Sequence, residues 1–143
     1  MIKPFIIYLI RACTNGGTAT EDEYLDNLNC AANDITTLRC MLTERGIRLQ
    51  DVIIISPQLI FSDLYGIVPH AVVMDWCEQI LDYAADRCIC LFPPDSDTSD
   101  GVMQELKYCA EEIDGQAHIT VVRDFELAVN FASDWVNQGN KEG

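Results

Sequence analysis

Cys88-Ile89-Cys90-Leu91-Phe92, then Pro93-Pro94-Asp95-Ser96-Asp97-Thr98-Ser99-Asp100, then Gly101-Val102-Met103-Gln104-Glu105: this stretch reads as a buried strand, a polar loop and the first turns of a helix. The loop carries a small hydroxyl (Ser99), a bare backbone (Gly101) and a carboxylate (Glu105) to the carboxyl end of a strand. In open α/β sheets that end is where ligands bind, and a helix N-terminus there offers free backbone N–H groups to an anion. The same Asp- and Ser-rich residues also make an ordinary helix cap.

The pattern repeats on either side of this unit. Residues 5–10 are a β-rich apolar run. A helix is predicted over 21–45, opened by Thr20 and Glu23 at the spacing of a capping box and closed at Gly46. Its expected apolar face is Leu25, Leu28, Ala32, Ile35, Leu38 and Leu42. A second strand, Asp51 to Ser56, is apolar on both faces, as a covered parallel strand should be, and Pro57 ends it. Residues 57–69 form a long connection to a helix over about 70–84. The third strand is 87–92. The helix that follows, 100–113, carries Val102, Leu106, Cys109 and Ile113 on one face. Ile119 to Val122 is a fourth strand, and Asp124 caps a last helix with Leu127, Phe131 and Trp135 on its apolar face. The polar tail 137–143 is expected to fray.

Alternating strands and helices imply a parallel sheet with helices on both faces and right-handed crossovers. The expected fold is α/β: a flavodoxin-like or Rossmann-like three-layer sandwich with a mostly parallel sheet of four to five strands in the order 2-1-3-4. At 143 residues with no evident linker, the chain is expected to form a single domain over 1–143. The switch point then lies between strands 1 and 3, which gathers the loops after Ile10, Ser56 and Phe92.

Composition narrows the partners. The net charge of −14 argues against long nucleic acid and anionic membrane surfaces, which need basic patches. No run approaches the roughly 20 apolar residues of a membrane span. The seven cysteines include no Cys-x-x-Cys pair, and with only two histidines no zinc spacing appears. Free buried cysteine packs as a small hydrophobe, so the expected setting is reducing and cytoplasmic. Asp95 to Gly101 superficially resembles a calcium loop, but its register puts Asp100 at the turn glycine and Leu106 at the bidentate glutamate. No metal and no cofactor is implied. Loop 11–20 contains neither Gly-x-x-x-x-Gly-Lys-Ser/Thr nor Gly-x-Gly-x-x-Gly.

Candidate chemistry lies in the gathered loops. Tyr8 ends the first strand, and Arg11, one of nine basic residues, either meets an anion or balances acidic neighbours. Asp75, Glu78 and Asp82 share a helix at i, i+3 and i, i+4 spacing, and any of them can oppose Glu105 or simply form a solvated face. Phe61, Tyr65 and Trp76 are the aromatic side chains available for stacking on a ligand.

Tyr8-Leu9 at the end of strand 1, the long middle loop, the acidic helix before Ala85-Asp86, and Ser99-x-Gly101-x-x-x-Glu105 resemble the nucleoside 2-deoxyribosyltransferase superfamily. That group includes the 2′-deoxynucleoside 5′-phosphate N-hydrolases. The resemblance covers most of residues 5–122. It implies cleavage or transfer at the N-glycosidic bond of a nucleoside or nucleoside 5′-monophosphate. Glu105 is then the nucleophile, Tyr8 positions it, and Glu78 protonates the departing base, with Asp75 as the alternative. Ser99 and the backbone near Gly101 receive the 5′-phosphate. A homodimer or larger homo-oligomer is also implied. A retaining transfer wants two carboxyl groups roughly 5 Å apart, one ionised and one protonated. Glu105, near a helix N-terminus, is expected to be the ionised one. The sequence departs from the family at Arg11-Ala12-Cys13-Thr14, where a glycine-rich turn is usual, and at Glu78, where the usual residue is Asp. These departures suit altered substrate choice, or a module that binds a nucleotide without cleaving it.

Overall fold

A computed structural model of the chain describes residues 3–11, 20–64, 67–96, 100–113, 116–117 and 119–142. The elements are β1 (Phe5–Leu9), α1 (Glu21–Glu44), β2 (Val52–Ile55), α2 (Pro57–Ile60), α3 (His70–Ala84), β3 (Cys88–Leu91), α4 (Asp100–Ala110), β4 (Glu112–Ile113), β5 (Gln116–Ala117), β6 (Val121–Val122) and α5 (Phe125–Glu142). Four strands form one parallel sheet in the order β2-β1-β3-β6. The protein is therefore α/β, a three-layer sandwich of the flavodoxin-like or Rossmann-like kind, in the 2-1-3-4 order expected from the alternation of elements.

Side-chain alternation along β1 divides the core in two. Phe5, Ile7 and Leu9 point to one face and pack with Ala31, Leu38 and Leu42 of α1 and Val129, Ala132 and Val136 of α5. Tyr8 and Ile10 point to the other, with Val73, Cys77 and Leu81 of α3 and Val102 and Cys109 of α4.

Local signals act where they were read. Thr20 accepts from the Glu23 amide at 3.2 Å and caps α1. At the other end Ile47 N–H donates to Leu42 O and Gly46 N–H to Thr43 O, a Schellman closure with Gly46 at φ +73°. Asp124 Oδ1 accepts from the Glu126 amide at 2.7 Å and caps α5.

Several expectations are corrected. On α1 the buried stripe is Ala31, Asp34, Leu38 and Leu42; Leu25 and Ala32 are exposed because they lie to the side of it. On α5 Leu127 and Phe131 are exposed, and Ala128, Val129, Ala132 and Val136 are buried. Small side chains let this helix approach the sheet closely, and the bulkier residues flank the contact. Only Trp135 of the expected face packs inward, against Phe5 at 6.1 Å between ring centroids. β2 is an edge strand, so Ile53 is 44% exposed rather than covered. The connection after β2 is partly helical: Ser56 caps α2, with Pro57 at its first position. α4 stops at Ala110, and Ile113 belongs to a short antiparallel pair, β4 with β5. α5 continues through the polar tail to Glu142.

Candidate functional site

β1 and β3 are neighbours whose chains leave the sheet towards opposite layers, so their carboxyl ends border the crevice of a switch point. Tyr8 reaches from β1 towards α4, and Glu105 reaches back from the second turn of α4. The Tyr8 hydroxyl donates to Glu105 Oε2. Both side chains are buried, Glu105 to 5% exposure. Burial pushes the Glu105 carboxyl up to about 7; the Tyr8 hydrogen bond opposes the shift, and the charge of Glu78 adds to it. The expected ionised Glu105 is thus corrected. A helix dipole supplies at most about 2 kcal/mol and fades after the first turn, whereas desolvation acts on the whole carboxylate. Burial, reinforced by the Glu105 charge, holds the Tyr8 phenol well above its ordinary range, so it remains a donor. Cys77 lies against the same pair. Burial and the Glu105 charge push its thiol up to about 12, and it supplies no nucleophile near neutral pH.

The three carboxylates of α3 have different surroundings. Glu78 accepts from Gln104 Nε2 at 3.3 Å, and Asp82 accepts from the Tyr108 hydroxyl, so two rungs tie α3 to α4. Asp75 is exposed and accepts from Gln79 of its own helix at 2.7 Å. Glu78 is the one whose charge acts on Glu105.

Ser99 lies outside the described residues, as does Tyr65. Gly101 is buried at the start of α4. A methyl group there would meet His70 Cε1 at 3.3 Å and Met74 Sδ at 3.4 Å. His70, the first residue of α3, thus stands beside the expected phosphate-binding turn. Sequence reasoning passed over it, because a histidine opening a helix has no motif attached to it. Its partner is thirty-one positions away in the chain.

Arg11 balances acids. Its Nε donates to buried Asp34, its Nη2 reaches Asp34 at 3.2 Å and Asp95 at 2.9 Å, and Gln58 Nε2 donates to its carbonyl. Burial works to discharge the guanidinium, but the hydrogen bonds and charges of Asp34 and Asp95 outweigh it and raise its pKa. A second arginine steadies the same loop. The Arg123 guanidinium lies 4.4 Å from the Phe92 ring centroid and donates to the carbonyls of Phe92, Pro93 and Pro94 at 3.3–3.4 Å.

Trp76 contacts Phe61, with ring centroids 5.5 Å apart, and both line a cleft of about 740 Å³ beneath α3 at the β2 edge. Neither Tyr8 nor Glu105 lines it.

Comparison of the chain with known families, curated proteins and solved structures gives no match. Among the described residues, no helix is long and apolar enough to cross a membrane, and no group of three or more His, Cys, Asp and Glu is arranged to hold a metal ion.

Proposed function

We propose that the protein cleaves, or transfers at, the N-glycosidic bond of a nucleoside or nucleoside 5′-monophosphate. The observation that carries this reading is the hydrogen bond from Tyr8 to Glu105, two residues 97 positions apart that the family resemblance pairs as positioner and nucleophile. In the reacting form the proton that Glu105 holds at rest is on Glu78, and the Glu105 carboxylate attacks the anomeric carbon as the bond to the base breaks. The bonding pair leaves with the base nitrogen, which takes a proton from Glu78. The resulting glycosyl ester is opened by water, giving hydrolysis, or by a second base, giving transfer. Tyr8 fixes the carboxylate rotamer and lowers the cost of its ionisation, and Gly101 offers backbone where even a methyl group would sit tightly against His70.

The non-catalytic reading, a module that binds a nucleotide, has an observation in its favour: Glu105 is almost fully buried and Arg11 is already committed to two carboxylates. Base release separates the two. The protein is incubated with ribo- and deoxyribonucleosides and their 5′-monophosphates, with Glu105→Gln alongside, and free base is followed by chromatography. Release that disappears in Glu105→Gln is expected. Ligand retained in calorimetry with no release from any substrate would overturn catalysis in favour of binding.

A further inference from the structure

The cleft beside β2 has a composition at odds with the rest of the chain. The protein carries 23 acidic and nine basic residues, yet of the twelve residues lining the cleft none is Asp or Glu and two, Lys3 and Arg87, are cations. The remainder are mostly apolar, among them Ile53, Ile55, Phe61 and Trp76. The cleft also has a direction. Ile6 is aligned with Cys88 in the sheet, so Lys3 and Arg87 both precede their strands and share its amino-terminal end. Phe61 follows β2 and packs on Trp76, so the aromatic pair closes the other end. Arg87 is 6% exposed, donates from Nη1 to Asp86 at 2.8 Å, and stacks over Tyr83 at 5.1 Å. Its buried Nε–H has no acceptor among the described residues, and a buried donor left unpaired is costly.

An apolar trough with cations at one end, whose described lining holds no carboxylate and whose one neighbouring carboxylate, Asp86, is paired with Arg87, suits an amphipathic anion, and about 740 Å³ is within the range of small-molecule sites. We propose that this cleft binds a medium-chain carboxylate, its head at Lys3 and Arg87 and its acyl chain over Ile53 and Ile55 towards Phe61 and Trp76. The Lys3 ammonium supplies the free charge, Arg87, paired with Asp86 through Nη1, supplies the unpartnered Nε–H, and the uncovered face of the edge strand supplies the apolar floor. The site shares none of Tyr8, Glu78 and Glu105 and stands independently of the proposed glycosyl chemistry.

The test is calorimetric titration of the whole protein with octanoate, with 1-octanol as the uncharged probe. Octanoate is expected to bind about tenfold more tightly than octanol, one ion contact's worth. Lys3→Glu and Ile53→Glu, both at exposed positions, are each expected to weaken octanoate by about tenfold or more, with the melting temperature little changed. No heat with octanoate, or equal affinity for the two probes, would overturn the proposal. So would sedimentation showing a dimer that Ile53→Glu dissociates while octanoate fails to bind, since a second copy would then be the occupant.

Discussion

The phenol of Tyr8, on β1, donates to the carboxylate of Glu105, on α4, inside the layer where α3 and α4 cover the sheet. Among the described residues this carboxyl is bonded to one neutral donor, Tyr8, and burial lifts it to about 7 from an ordinary 4.5.

That shift sets a pH dependence of stability. In the unfolded chain Glu105 ionises near 4.5, and in the folded protein it keeps its proton to about 7. Between these values the unfolded state binds fewer protons, so rising pH destabilises the fold, by about 3 kcal/mol in full. Glu105→Gln keeps the shape and an acceptor for Tyr8 without the ionisation. The variant is expected to gain stability over the parent between pH 5 and pH 8 in paired urea titrations. A difference that does not change with pH would show that Glu105 does not titrate in this window.

The same ionisation governs the proposed chemistry. Base release is expected to fall as pH rises through about 7, as Glu105 gives up the proton that the reaction passes on to the departing base. Tyr8→Phe removes the hydrogen bond that opposes the shift, so the limb should move to higher pH while the rate falls. An unchanged limb in Tyr8→Phe would separate the tyrosine from the nucleophile's titration.

Glu78 and Asp75 differ in surroundings, and the reaction should tell them apart. Glu78→Gln is expected to lower the rate by ~10²–10⁴-fold, the usual contribution of a general acid. Asp75→Asn, exposed and bonded to Gln79, should leave the rate within about twofold, a change of under 1 kcal/mol in barrier. Equal losses in both variants would argue against Glu78 as the proton donor.

Arg11 is a structural cation. Arg11→Ala leaves Asp34 buried and unpaired and is expected to cost about 3–5 kcal/mol. Asp95→Ala removes only the exposed partner and should cost under ~1 kcal/mol. Urea midpoints of the two variants provide the comparison, and similar values would show that the burden does not rest on Asp34.

Gly46 closes α1 at φ +73°, and a methyl group there would meet nothing within 4 Å. Gly46→Ala should therefore cost about 1 kcal/mol from backbone strain alone. A neutral result by thermal melting would mean that the closure relaxes to another conformation.

The parts legible in the sequence were those with a local cause. Thr20 and Glu23, Gly46, and Asp124 announced helix ends because capping is settled within a few residues. Packing faces were harder to read. Leu127 and Phe131 looked like the core of α5 by periodicity, but Ala128 and Ala132 meet the sheet because close approach favours small side chains. His70 went unweighed because its significance comes from Gly101, which reaches it only through the fold.

Chain connectivity and apolar runs determined on their own that this is a parallel α/β sandwich. Unbroken runs such as Ile53 to Ile55 and Ile89 to Leu91 form strands, and a parallel return needs a crossover helix. Only the tertiary structure decided that Glu105 is buried against Tyr8, that Arg11 belongs to Asp34, and that Lys3 and Arg87 head an apolar cleft. Each of these depends on distance across the fold and on the exclusion of water, and the order of residues along a chain encodes neither directly.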